Sequence, residues 1–201
     1  MLNVLFTNPL LFLMVACSLV FSLSVHEFAH AYIADKLGDS TSRYLGRLTL
    51  NPLAHLDPLG MLMLLIIGIG WGKPVPFNPG NLANPKRDSA IIAFAGPASN
   101  FILAVIFSVL FRTVGTIPLV SLFLYLTVFY NLLLGIFNLL PIHPLDGFKI
   151  VYGLLPGNLA IQWLQTQSFG VVILIIMLLT NSFGRIVGVF IDLALNFLRV
   201  Y

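Results

Sequence analysis

Residues 26–30 read His26-Glu27-Phe28-Ala29-His30, two imidazoles four positions apart with a carboxylate beside the first. A helix turns ~100° per residue, so His26 and His30 fall ~40° apart on one face, one turn removed. Imidazoles so placed can share one Zn2+ ion. Glu27 falls ~60° from His30, on the flank of that stripe. From there it can reach a water beside the metal without being forced to bind the metal itself. A Lewis acid with a base next to it is the equipment of metal-assisted hydrolysis. A catalytic zinc also needs a third protein ligand and one open position. Beyond the nearby Asp35 and Asp39, the acidic residues that follow are Asp57, Asp88, Asp146 and Asp192. Asp146 stands out, because it ends a long uncharged stretch, within Asn138-Leu139-Leu140-Pro141-Ile142-His143-Pro144-Leu145-Asp146-Gly147.

The elements that must carry these residues are set by composition. The chain has 201 residues, 59% hydrophobic and 8% charged, against about 25% charged in an ordinary soluble domain. A water-soluble fold cannot hide that much apolar surface, so lipid is the expected solvent. Uncharged stretches place spans near 9–35, 89–111, 118–140, 160–180 and 183–200. The expected fold is an all-α polytopic membrane protein with about five to six transmembrane helices, forming a single membrane-embedded domain over 1–201. Leu59–Gly70 is too short for a full span and leads into the Pro- and Gly-rich run Trp71–Gly80. A re-entrant or extended element near 59–80, lining a wet cavity, is expected there. The N-terminus, Met1 to Leu10, has no Lys or Arg, so the first apolar stretch reads as a retained span rather than a cleaved signal.

In a span, each charged or imidazole side chain is costly and points to function. If 59–80 dips in and returns, Lys36, Arg43, Arg47, Lys73, Lys86, Arg87, Lys149 and Arg199 share one face, with Arg112 and Arg185 on the other. That asymmetry puts the first face in the cytoplasm. His26, His30 and Asp146 then fall in the same leaflet, because both carrying spans run outside to inside. The net charge of +3 is spread over the loops as topology signals and does not suggest nucleic-acid binding. Cys17, the one cysteine, excludes an intramolecular disulfide and reads as a small buried hydrophobe.

Three ordered elements carry a family likeness: His26-Glu27-Phe28-Ala29-His30; Gly96-Pro97-Ala98-Ser99-Asn100 (GPxxN); and NxxPxxxLDG from Asn138 through Pro141 to Asp146-Gly147. With Gly46-Arg47-Leu48-Thr49-Leu50-Asn51-Pro52 through Asp57-Pro58, and Gly72-Lys73-Pro74-Val75-Pro76, the chain resembles the site-2 protease family of intramembrane zinc metalloproteases. The likeness is to its short bacterial and archaeal members, over roughly residues 20–155. The resemblance implies one Zn2+ per chain held by His26, His30 and Asp146, with Glu27 as the base. It implies that Asn138 positions substrate or stabilises the oxyanion. It implies transmembrane-helix substrates cut within the bilayer; a bacterial or archaeal cell membrane is the expected location, with the site toward the cytoplasm by the distribution of basic residues. The sequence leaves no room for the added PDZ or CBS domain that some members carry.

Other polar residues have plainer expected roles. His143 is expected beside the ligands or at the interface, His55 and Asp57 in a loop, and Asn100 and Asn131 between helices. Asp192 fits an ordinary interfacial residue. Two other functions compete: a membrane metal-ion transporter or zinc-binding protein, and an inactive scaffold. Neither needs a carboxylate beside the first imidazole.

Overall fold

The structure, a computed structural model, describes residues 2–67, 70–114 and 116–200. Its helices are α1 (Leu2–Thr7), α2 (Pro9–Lys36), α3 (Thr41–Tyr44), α4 (Pro58–Ile67), α5 (Pro85–Val114), α6 (Pro118–Leu139), α7 (Asp146–Leu154), α8 (Gly157–Gln165), α9 (Gly170–Leu179) and α10 (Ser182–Leu198). Proline opens α2, α4, α5 and α6, where its missing N–H costs nothing. The Asn8 side chain caps α2 by accepting from the Leu11 amide at 3.0 Å. Among the described residues the one β-type pairing is an isolated antiparallel bridge, Leu56 to Gly72.

α5 is central and packs against α2, α6 and α7. Helices surrounded by lipid gain little from apolar burial, so small and polar residues join them. Ser18 Oγ lies 3.0 Å from Thr127 Oγ1. Asn131 Nδ2 donates to Ser22 Oγ at 2.8 Å, and Asn100 Nδ2 donates to Asn131 Oδ1 at 3.0 Å. Cys17 is exposed on the outer face of α2, contrary to its expected burial.

Among the described residues four segments are long and apolar enough to cross a membrane: Pro9–Lys36, Pro85–Val114, Pro118–Leu139 and Gly157–Leu179. The expected fifth, 183–200, forms α10, 17 residues long. Within Gly157–Leu179 a 3-10 turn at Thr166–Phe169 separates α8 from α9. Trp163 Nε1 donates to the Phe148 carbonyl of α7 at 2.9 Å, and Gly170 backs against the His143 carbonyl. Phe183, at the start of α10, meets Phe137 edge-on at 5.2 Å. The end of α10 joins the cluster of Ala104, Val128, Leu132 and Val200. α10 therefore runs against α6, which reverses the sides expected for Arg185 and Arg199.

The 59–80 segment returns to its point of entry. α4 leaves from Pro58, and Gly72 comes back beside Leu56. A Cβ on Gly60 would collide with the Trp71 carbonyl, so the two limbs touch. Gly68 and Ile69, inside this expected re-entrant element, lie outside the described residues.

Candidate metal centre

α2 presents His26 and His30 to α5, and the start of α7 brings Asp146 to them. His26 Nε2 and His30 Nε2 lie 3.0 Å apart. Asp146 Oδ2 lies 3.2 Å from the first and 3.1 Å from the second. This is the one group of three such side chains able to hold a metal among the described residues. Gly96 permits the approach of α5: a Cβ there would sit 2.6 Å from His26 Nε2 and closer still to His30 Nε2.

The outer nitrogens decide what the inner ones carry. His30 Nδ1 lies 2.7 Å from the Ile92 carbonyl, which only accepts, so that nitrogen holds the proton. His26 Nδ1 lies 2.7 Å from Asn100 Oδ1. The Asn100 amide nitrogen already donates to the Ser22 carbonyl and to Asn131 Oδ1, so its oxygen must face His26 as an acceptor. In the neutral imidazoles both Nε2 atoms therefore turn lone pairs inward. Asp146 Oδ2 is buried and accepts no hydrogen bond. With the imidazoles neutral, three lone-pair donors face one another and repel, and a cation among them removes the repulsion. Two imidazoles and a carboxylate, each imidazole held from behind, are a donor set suited to zinc.

Beside this cluster, Glu27 Oε2 accepts from the Val75 amide at 3.0 Å. Both open onto a cavity of about 460 Å3, lined mainly by apolar side chains.

Comparison with known proteins agrees with the geometry. A sequence model of peptidase family M50 matches residues 114–180. YwhC of Bacillus subtilis (strain 168) is 39% identical over 172 residues, 81% of this chain and 78% of YwhC. Rip2 of Mycolicibacterium smegmatis is 31% identical over 182 residues, 87% of this chain and 70% of Rip2. The chain belongs to peptidase family M50, the site-2 proteases. MJ0392 of Methanocaldococcus jannaschii is 27% identical over 138 residues, 67% of this chain and 32% of MJ0392. All three carry zinc metalloprotease in their names. No solved structure matches the chain. The protein is thus a zinc-dependent metallopeptidase, and its long apolar helices make it an integral membrane protein.

The remaining acidic groups of this M50 peptidase lie in other roles. Asp57 Oδ1 accepts from the Gly60 amide at 2.8 Å, at the start of α4. Asp88 Oδ2 accepts from the Asn84 amide at 2.8 Å, before α5. Asp192 is exposed on α10. Asn138 reaches the cavity wall, with its amide donating to the Leu134 carbonyl at 3.0 Å. His143 turns its ring edge to Phe148, 5.5 Å between centroids, and its buried Nδ1 has no hydrogen-bond partner. His55 is fully buried, with Nε2 2.8 Å from the Thr49 carbonyl. Sequence reasoning did not identify the Val75 amide on Glu27. A backbone group from a distant loop leaves no residue-type signal, and only the Pro-rich spacing around it marked the region.

Proposed function

We propose that this M50 peptidase cuts membrane-spanning segments of other proteins within the bilayer, with zinc held by His26, His30 and Asp146. The convergence of three potential metal-ligand atoms beside Glu27, at the wall of an apolar cavity, carries the reading. When bound there, zinc supplies Lewis acidity, lowering the pKa of water toward ~7 and polarising a peptide carbonyl.

Glu27 takes the proton of the attacking water on its carboxylate. It returns that proton to the amide nitrogen as the C–N bond breaks. One N–H of the Asn138 amide is engaged by Leu134, and the second is free to meet the developing oxyanion. The substrate's scissile carbonyl must first leave its helix, where it is hydrogen-bonded. Residues 70–78 form neither helix nor turn and lie along the cavity. Among the described residues, the Val75 carbonyl and the Phe77 amide make no hydrogen bond. They suit an unwound substrate segment laid alongside.

Reversing α10 moves Arg185 to the site's end of the bundle and Arg199 toward the other. The imbalance of basic residues is unchanged, and it supports a site facing the cytoplasm of a cell membrane. The direct test incubates purified protein in detergent with a transmembrane-helix substrate. Glu27→Gln should retain zinc and lose roughly 10²–10⁴-fold in kcat, and a chelator should stop cleavage reversibly. If Glu27→Gln cuts as well as the wild type, the reading is wrong.

A further inference from the structure

The strap of residues 70–78 is held from the protein side almost residue by residue. The Lys73 amide donates to the His55 carbonyl at 2.8 Å. Ser42 Oγ donates to the Pro76 carbonyl, and the Asn78 amide donates to Asp39 Oδ2 at 2.6 Å. Between these anchors stands Arg47. Gly46, at φ +68°, turns the chain after α3, and the Arg47 amide closes that turn on the Ser42 carbonyl at 2.8 Å. The Arg47 side chain is buried, at 7% exposure, and no carboxylate lies within ion-pair distance of it among the described residues. A buried guanidinium without a counter-ion is costly and calls for a reason. Its Nη2 donates to two carbonyls, Lys73 at 3.3 Å and Pro74 at 3.1 Å.

The Pro74 carbonyl and the Val75 amide belong to one peptide group. Its carbonyl accepts from Arg47 and its N–H donates to Glu27. In a trans peptide these groups point opposite ways, so cation and carboxylate face each other across the strap. A cation on the carbonyl polarises the group and strengthens the N–H as a donor. We propose that Arg47 is a positioning residue for the base Glu27, acting through the peptide group that joins Pro74 to Val75. One glutamate oxygen is fixed by the strap, and the carboxylate's otherwise free rotation is stopped at the angle the reaction uses. The positively charged partner of the base is thus at one remove, where it neither binds the metal nor blocks the cavity. This inference rests on the proposed role of Glu27.

The test compares wild type, Arg47→Ala, Arg47→Lys and Ser42→Ala, full length in detergent and with zinc content measured for each. Arg47→Ala is expected to lower kcat roughly tenfold or more, with KM within about threefold of wild type and zinc stoichiometry kept. Arg47→Lys, which retains a cation without the fork, is expected between the two. Ser42→Ala frees the strap at Pro76 and leaves the Pro74–Val75 peptide held, so it should change kcat less than Arg47→Ala. If Arg47→Ala does not fold, Arg47→Lys decides, with a fall in kcat at unchanged KM expected. A defect in KM alone, an unchanged kcat, or equal effects of Ser42→Ala and Arg47→Ala would overturn the proposal. Amide exchange at Val75, read by NMR, separates the two claims. It should quicken in the Arg47 variants whether or not the wild type cleaves the chosen substrate, and unchanged exchange also overturns the link. Failure of wild-type cleavage together with faster Val75 exchange faults the reading of the site and not the contact.

Discussion

At the residue scale, the proposed centre depends less on its ligands than on what stands behind them. An imidazole binds a metal through a lone pair, and which nitrogen carries that pair is set by the partner of the other. For His30 the partner is a backbone carbonyl, which no substitution of a side chain removes. For His26 it is Asn100, whose own orientation is fixed by Ser22 and Asn131. Asn100→Ala is therefore expected to weaken zinc about 10–100-fold, measured by competition against a chromogenic chelator. An affinity equal to wild type would show that the tautomer is held in some other way. The spacing of His26 and His30 was legible in the sequence because helix geometry fixes it, and Asp146 because it ends an uncharged stretch. The place of Asn100 was legible only as a polar residue near the site. Which atom it offers, and to which nitrogen, follows from contacts among α2, α5 and α6 that no local pattern encodes.

At the element scale, the loops between α2 and α5 act as a frame for the strap. Asp39 is its far anchor. Its Oδ1 accepts from Thr41 and from Asn81 Nδ2 at 2.7 Å, and its Oδ2 from the Asn78 amide. Burial pushes the Asp39 carboxyl up, yet hydrogen bonds from Thr41, Asn81 and the Asn78 amide outweigh it and hold the group below the usual carboxylate range. A carboxyl with a lowered native value contributes stability above its unfolded value, about 3.9. That contribution is lost as pH falls through the lower, native value. Asp39→Asn should thus lower the Tm in detergent by a few degrees near neutral pH, and the gap to wild type should close in acid. A gap that is constant with pH would mean that the charge of Asp39 plays no part. The return of 59–80 on itself was legible from its short apolar run and the prolines after it. The reversal of α10 was not. Hydropathy gives the length of a helix and not its direction, and here the direction is set by Phe183 on Phe137 and by the packing of Val200.

At the scale of the whole molecule, that reversal makes a statement about the membrane that labelling can check. α5 and α6 form an antiparallel pair, so Lys86 and Asn138 lie at one end and Arg112 at the other. Trp163, Gly170 and Phe183 are all tied to the Asn138 end, through Phe148, His143 and Phe137. We expect the stretch from α8 to the start of α10 to stay on the side of the proposed metal centre, although its apolar length would suit a crossing. The next crossing is then expected in α10, a helix of 17 residues, just within the range of about 17–25 that can span the hydrocarbon. Cys17 is the only cysteine, so a Cys17→Ser background allows single cysteines to be placed at will. Cysteines at Lys73 and Arg185 should react with a membrane-impermeant thiol reagent from the same side, and cysteines at Arg112 and Arg199 from the opposite side. Labelling in intact cells against inverted vesicles reads both sets. Reaction of Arg185→Cys together with Arg112→Cys would mean that Gly157–Leu179 crosses after all, and that α10 turns back toward the metal centre instead of away from it.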